Sequence, residues 1–354
     1  MRKKYSEYMH WAKTQSKARF NLATSGVGSF PLNELAYRAE DLEINGDNSY
    51  GYRPLLDAIA AKSRTTAECV VTSAGTSMAN HLAMAALFEP GDEVLIENPT
   101  YGLIVDAAEY LGASIQRFER REENGYAIDP GELRRAVTAK TRLIVLTNLH
   151  NPTGVLTSDE VLQEIGSLGP TVLVDEVYLD AVYRNTPRSS FLLGSNFVIT
   201  NSLTKVYGLS GLRCGWILAQ PDLARAMWRL NDVFAATPVH PGELLSVAAF
   251  RQLDAIREKA RRVVEADRAR LAGFLRCTPQ VSAPETQYGT TAFLRLREYA
   301  VEDFLARLRA EYETSAVPGR FFGMPDHFRI GMGVNTEMFA RGLANIASLC
   351  ASLT

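Results

Sequence analysis

Between about residues 50 and 250 the chain repeats one pattern: a short apolar run, a polar junction, then a longer helix-forming stretch. Seven runs fit it, at 69–72, 93–96, 114–117, 143–146, 171–174, 197–200 and 215–218. Most are rich in Val, Ile and Leu without polar alternation, which suits strands buried on both faces. Helical stretches, for example 77–88 and 158–165, lie between most of them. This alternation predicts an α/β fold with a mostly parallel seven-stranded sheet flanked by helices. In such sheets ligands sit outside the carboxyl ends of the strands. The junctions after the runs are therefore where chemistry is expected.

After about residue 250 the pattern changes. Residues 256–274 read as a long charged helix, followed by a strand at 290–296, a helix at 301–312, a strand at 328–332 and a terminal helix. The chain is thus expected to divide into an N-terminal segment, 1–44, a large domain, 45–255, and a smaller α+β domain, 256–354, against which the N-terminal segment packs. A length of 354 residues with 46% hydrophobic content supports a core of this size. With 38 basic against 40 acidic residues, the chain has no cationic excess for a nucleic acid backbone. Cys69, Cys214, Cys277 and Cys350 show neither CxxC nor Cys/His ligand spacing, so no metal site is expected and a reduced compartment is. The basic start, Met1-Arg2-Lys3-Lys4-Tyr5, is followed by no uninterrupted apolar stretch, so no membrane span is expected and the cytoplasm is the default.

Five junctions carry chemistry-bearing residues. The run at 197–200 leads into Ser202-Leu203-Thr204-Lys205-Val206-Tyr207-Gly208-Leu209-Ser210-Gly211-Leu212-Arg213. A lysine there offers an amine nucleophile beside hydroxyls and a guanidinium suited to phosphate. The run at 171–174 ends at Asp175, with Tyr178 three residues on. In a desolvated cleft that carboxylate is stable only beside a cation, although a helix N-cap is an equal reading of it alone. Asn148-Leu149-His150-Asn151-Pro152-Thr153-Gly154 forms a turn that would fix the Asn151 amide. Ser73-Ala74-Gly75-Thr76-Ser77 opens a helix whose N-terminal amides and hydroxyls suit an anion, or else simply cap the helix. Asn98-Pro99-Thr100-Tyr101 presents a ring that could stack on a planar ligand or merely pack. No Walker loop or dinucleotide fingerprint is present.

In this order the motifs resemble those of the aspartate aminotransferase superfamily, the fold-type I class I/II aminotransferases that use pyridoxal 5'-phosphate (PLP). The resemblance spans nearly the whole chain. It implies that Lys205 joins the cofactor aldehyde covalently and later moves the proton. By the same resemblance Asp175 keeps the pyridine nitrogen protonated, Asn151 and Tyr178 hydrogen-bond the phenolic oxygen, and Tyr101 stacks on the ring. Gly75, Thr76, Ser77, Ser202 and Arg213 match the phosphate cradle, Arg329 the arginine that grips the substrate α-carboxylate, and Gly26 the glycine of the N-terminal substrate loop. Tyr50 resembles the tyrosine that reaches the partner subunit's cofactor, although its spacing to Pro54 is short and Tyr52 could take the role. A homodimer with active sites at the interface follows from the resemblance.

The implied reaction is transamination between an L-amino acid and a 2-oxo acid. The alternative is another PLP reaction on the same scaffold, β- or γ-elimination or cyclisation. A ligand-sensing domain of a transcription regulator is disfavoured, since the fold begins almost at once. The segment 233–241 is expected near the substrate and holds no arginine for a second carboxylate. Arg320 is a candidate for that role and is more readily read as a surface residue. Tyr5, Tyr8, Met9 and Ala12 form an apolar helical stripe. It is expected to pack on the small domain; covering the active-site mouth or clasping a partner subunit are the other readings.

Overall fold

The computed structural model describes residues 3–285 and 287–353, so Met1 and Arg2 of the basic start lie outside the described residues. The chain opens with helix α1 (Glu7–Thr14) and a short strand β1 (Phe20–Asn21), then runs through irregular chain to α2 (Arg53–Ser63). Strand β2 (Val70–Ala74), α3 (Thr76–Leu87), β3 (Glu93–Asn98), α4 (Gly102–Leu111) and β4 (Ser114–Glu119) follow. Next come α5 (Pro130–Ala136), β5 (Thr141–Thr147), α6 (Asp159–Gly166), β6 (Thr171–Asp175), β7 (Phe197–Ser202) and β8 (Cys214–Leu218). All seven sequence-expected strands from β2 to β8 join one sheet, in the order β2-β8-β7-β6-β5-β3-β4. Pairing is parallel except on both sides of β8.

The sheet is covered on both faces, which is why its central strands are buried almost end to end. Each fully buried Val, Leu or Ile contributes about 1.5–3 kcal/mol relative to exposure. Helix α3 packs against β2, β6, β7 and β8 and so begins at the centre of the sheet's carboxyl edge.

Beyond β8, α7 (Pro221–Asn231) and α8 (His240–Phe250) lead to α9 (Leu253–Cys277). Then come β9 (Val281–Ser282), β10 (Thr291–Leu296), α10 (Val301–Tyr312), β11 (Thr314–Ser315), β12 (Val317–Pro318), β13 (His327–Gly331) and α11 (Thr336–Ala351). Strands β12, β13, β10 and β9 make an antiparallel sheet with its own apolar core around Leu294, Phe328, Ile330, Phe339 and Leu343. Strand β1 pairs with β11, tying the start of the chain to this second core. A third, small cluster of Tyr8, Phe293, Val317 and Phe322 lies against Tyr101 of the large sheet's side.

The N-terminal stripe does more than pack on the small domain. Tyr5 precedes α1 and is exposed, whereas Tyr8 is buried. The residues flanking α1 tie it to both sides: Lys3 before it pairs with Asp106 of α4, and the Ser16 carbonyl after it accepts from Ser315 Oγ. Among the described residues no helix is long and apolar enough to cross a membrane.

Candidate active site

At the carboxyl edge of the large sheet, five strand ends deliver their side chains to one cavity of about 190 Å³. Its lining includes Thr76, Ser77, Tyr101, Asn151, Asp175, Tyr178, Lys205 and Arg213. Asp175 is the last residue of β6, and its carboxylate is held from two directions. Oδ2 accepts from Asn80 Nδ2 at 2.8 Å, and Oδ1 accepts from the Val177 amide at 3.0 Å. The local capping reading therefore accounts for one oxygen only. Burial pushes the carboxyl pKa up to about 6, against the two hydrogen bonds and the charge of Lys205.

Lys205 stands three residues past β7. Burial and the nearby Arg329 bring its pKa down to about 8, against the pull of Asp175. At neutral pH roughly a tenth of such an amine is unprotonated, several hundred times the fraction of an ordinary lysine. Its Nζ donates to Ser25 Oγ at 2.9 Å, and Ser25 also hydrogen-bonds Tyr178. Burial pushes the Tyr178 phenol up to about 12. Gly26 lies directly against this lysine: a Cβ there would sit 3.0 Å from the Lys205 carbonyl oxygen, and Val27 donates its amide to that same oxygen at 2.9 Å.

Helix α3 begins at Gly75, whose positive φ of 83° suits glycine, and no side chain caps it. Its first amides therefore point toward the cavity without the capping partner that the sequence left open. A Cβ on Gly75 would fall on the Arg213 guanidinium, so the glycine makes room for that cation. Arg213 Nη2 donates to the Ala74 carbonyl at 2.8 Å. Ser202 lies one layer deeper, where its hydroxyl accepts from Thr76 Oγ1 at 2.8 Å and from the Thr204 amide at 3.3 Å.

Arg329 projects from β13 and is fully buried. Nη1 donates to Asn151 Oδ1 at 3.0 Å, Nη2 donates to the Tyr8 hydroxyl at 3.1 Å, and Nε has no hydrogen-bond partner. Asn151 is fixed from below by a buried network. Its backbone N–H donates to Thr147 Oγ1 at 2.9 Å, and that hydroxyl donates to Glu97 Oε1 at 2.6 Å. Glu97 pairs with Arg120 at 2.8 Å, both side chains being fully buried.

Three sequence candidates stand apart. Tyr50 does not line the cavity; it is exposed and its hydroxyl donates to Asp232 at 3.1 Å. Tyr52 packs edge-on to His240 with ring centres 5.0 Å apart. Arg320 pairs with Glu302 at the surface and stacks over Phe321. Beyond the residues selected from the sequence as site residues, Met9, Ser25, Asn80, Thr147, Val177 and Thr204 also line the cavity, and Tyr8 joins them through Arg329. Of these only Tyr8 and Met9 carried a signal, the helical stripe.

The model of the aminotransferase class I and II family matches residues 21–346. The chain belongs to that family. Capreomycidine synthase from Streptomyces vinaceus is 32% identical, over 94% of this chain and 90% of that protein. An aspartate aminotransferase from Streptomyces avermitilis is 25% identical over 92% and 88%. A PLP-dependent aminotransferase from Streptococcus suis superposes with a TM-score of 0.92 at 25% identity, covering 99% of each chain. The cofactor of this class I/II enzyme is pyridoxal 5'-phosphate. The residues present fit it: uncapped α3 amides beside Arg213 for a phosphate, a buried carboxylate for a ring cation, and a lysine of lowered pKa for an aldehyde. Among the described residues no cluster could hold a metal ion.

Proposed function

We propose that this enzyme removes the α-proton of an L-α-amino acid and, over two half-reactions, passes the amino group to a 2-oxo acid. The observation that carries this is the juxtaposition, at one cavity, of Lys205, ionised Asp175 and Asn151, the last joined to Arg329. When bound, PLP supplies an aldehyde for the amines and a cationic ring that draws electrons from the Cα–H bond. Every other function falls to the chain.

Arg213, Thr76, Ser202 and the first amides of α3 would hold the phosphate, with Tyr101 against the ring face. Asp175, held by Asn80 and Val177, is mostly ionised at neutral pH and offers its negative charge to the ring nitrogen. Arg329 orients the substrate carboxylate, and Asn151 fixes the guanidinium plane. Lys205 Nζ, poised by Ser25 and partly unprotonated, takes the proton from Cα and returns it to the cofactor side. The substrate side is walled by Tyr8, Met9 and Tyr101, a surface suited to an apolar or cationic side chain. We further propose a homodimer formed through the surface that carries exposed Ile44, Tyr50 and Val239, with Tyr50 reaching the partner's cofactor.

A second reading, elimination followed by ring closure, is supported by the 32% identity to capreomycidine synthase, above the 25% to the aspartate aminotransferase. Both readings share every residue up to proton removal and diverge afterwards. Incubating the purified enzyme with a panel of L-amino acids, with and without 2-oxoglutarate, separates them. One new amino acid and one oxo acid per donor consumed supports transamination. Conversion without an acceptor, with ammonia or a ring-closed product, supports the second reading. Turnover by Lys205→Ala, or its retention of the visible absorbance of a lysine-bound cofactor, would sink both.

A further inference from the structure

Tyr8 has no counterpart among the residues that the family resemblance brings to the site, yet it touches the carboxylate-binding arginine. Its ring is buried between Tyr101 and Phe321, with centroid separations of 5.5 Å to each, both edge-on. Its hydroxyl accepts from Arg329 Nη2, which leaves the phenolic hydrogen free to donate. Beside it Arg329 Nε is buried and unpartnered. A buried guanidinium N–H without an acceptor is costly, and a carboxylate is the acceptor whose two oxygens match it. A phenol O–H set against the same cation adds a third donor to that anion.

We propose that Tyr8 is a substrate-binding residue whose hydroxyl donates to the α-carboxylate held on Arg329. This rests on the reading of Arg329 given above. Helix α1 then belongs to the active site rather than to the small domain alone, as Met9 at the cavity wall also indicates. Arg329 is fully covered, and α1 is braced by residues that flank it on either side. Those braces are the Lys3–Asp106 pair and the hydrogen bond of Ser315 to Ser16. Trp11, packed on Phe321 at 5.6 Å, sits on the same helix.

The test is calorimetric titration of the holoenzyme with 3-phenylpropionate, a carboxylate without an α-amine, alongside Tyr8→Phe and Arg329→Lys. Tyr8→Phe keeps the ring contacts and removes only the hydroxyl. Its affinity for the carboxylate should fall about tenfold or more, the usual weight of a hydrogen bond to a charged group. Affinity for 3-phenylpropanol, which has no charge, should not change. If Tyr8→Phe binds the carboxylate as well as the wild type while Arg329→Lys is weakened, the role of Tyr8 is overturned and that of Arg329 stands. An equal loss for acid and alcohol assigns Tyr8 to packing and overturns the inference. If the wild type does not bind the acid, or neither variant is weakened, the carboxylate site itself is overturned.

Discussion

Replacing Asp175 by asparagine should change how the stability of the cofactor-free protein depends on pH. The magnitude follows from the burial of one carboxylate. Its pKa rises from 3.8 to about 6 in the folded chain, a difference of about 2.2 units and therefore about 3 kcal/mol. The folded state binds the proton more tightly than the unfolded one, so stability is greatest below about pH 4. It is lost as pH climbs through about 6 and is flat above that. Asparagine cannot ionise and should lack this slope, whatever its fixed cost in facing both the Asn80 and Val177 donors. Urea unfolding of wild-type and variant apoprotein, compared between about pH 4 and 7.5, measures the difference directly. A gap that changes by about 3 kcal/mol in favour of the variant agrees with the burial argument. Parallel curves would refute it, because they would mean that Asp175 is solvated in the folded state. In the holoenzyme the slope of the wild type should shrink, since the ring cation pairs with the ionised form, while the variant loses most of its catalytic rate.

Gly75→Ala forces a side chain into a left-handed backbone and onto Arg213. Cofactor affinity, read from the visible absorbance on dilution, should drop roughly tenfold or more; unchanged retention would remove Gly75 from the phosphate cradle. Arg120→Met strands Glu97 as an unpaired buried charge beneath Thr147 and Asn151. It should cost about 3–5 kcal/mol in unfolding free energy, with Arg120→Met/Glu97→Gln recovering much of it. A single variant as stable as the wild type would show that Glu97 is neutral or hydrated there.

The strand ends were readable because they depend on neighbours in the chain. A run such as that ending at Asp175 is apolar throughout, so the first ionisable residue after it must lie at the sheet edge. Lys205 and Asn151 follow their strands in the same way, and the loops that hold them are short enough to constrain their position. The N-terminal helix was readable as a helix, with the active-site mouth only one of three places its stripe could face. Its apolar stripe is consistent with any apolar neighbour, and nothing local says that the neighbour is Arg329. Asn80 and Ser25 gave no signal: an asparagine inside an apolar helix and a serine in a loop are unremarkable until the sheet sets them beside Asp175 and Lys205.

What the sequence determined by itself was therefore the sheet, its covering helices and the residues set at its carboxyl edge, since periodicity and turn chemistry act over a few residues. Tertiary structure decided which of those groups meet. The Tyr8 hydroxyl and Arg329 are 321 positions apart in the chain, and Asn80 and Asp175 are 95 apart. Desolvation, which moves Lys205 and Asp175 toward each other's titration range, arises only when the chain is packed around them. Burial is a property of the whole packed chain, and no local stretch of residues encodes it.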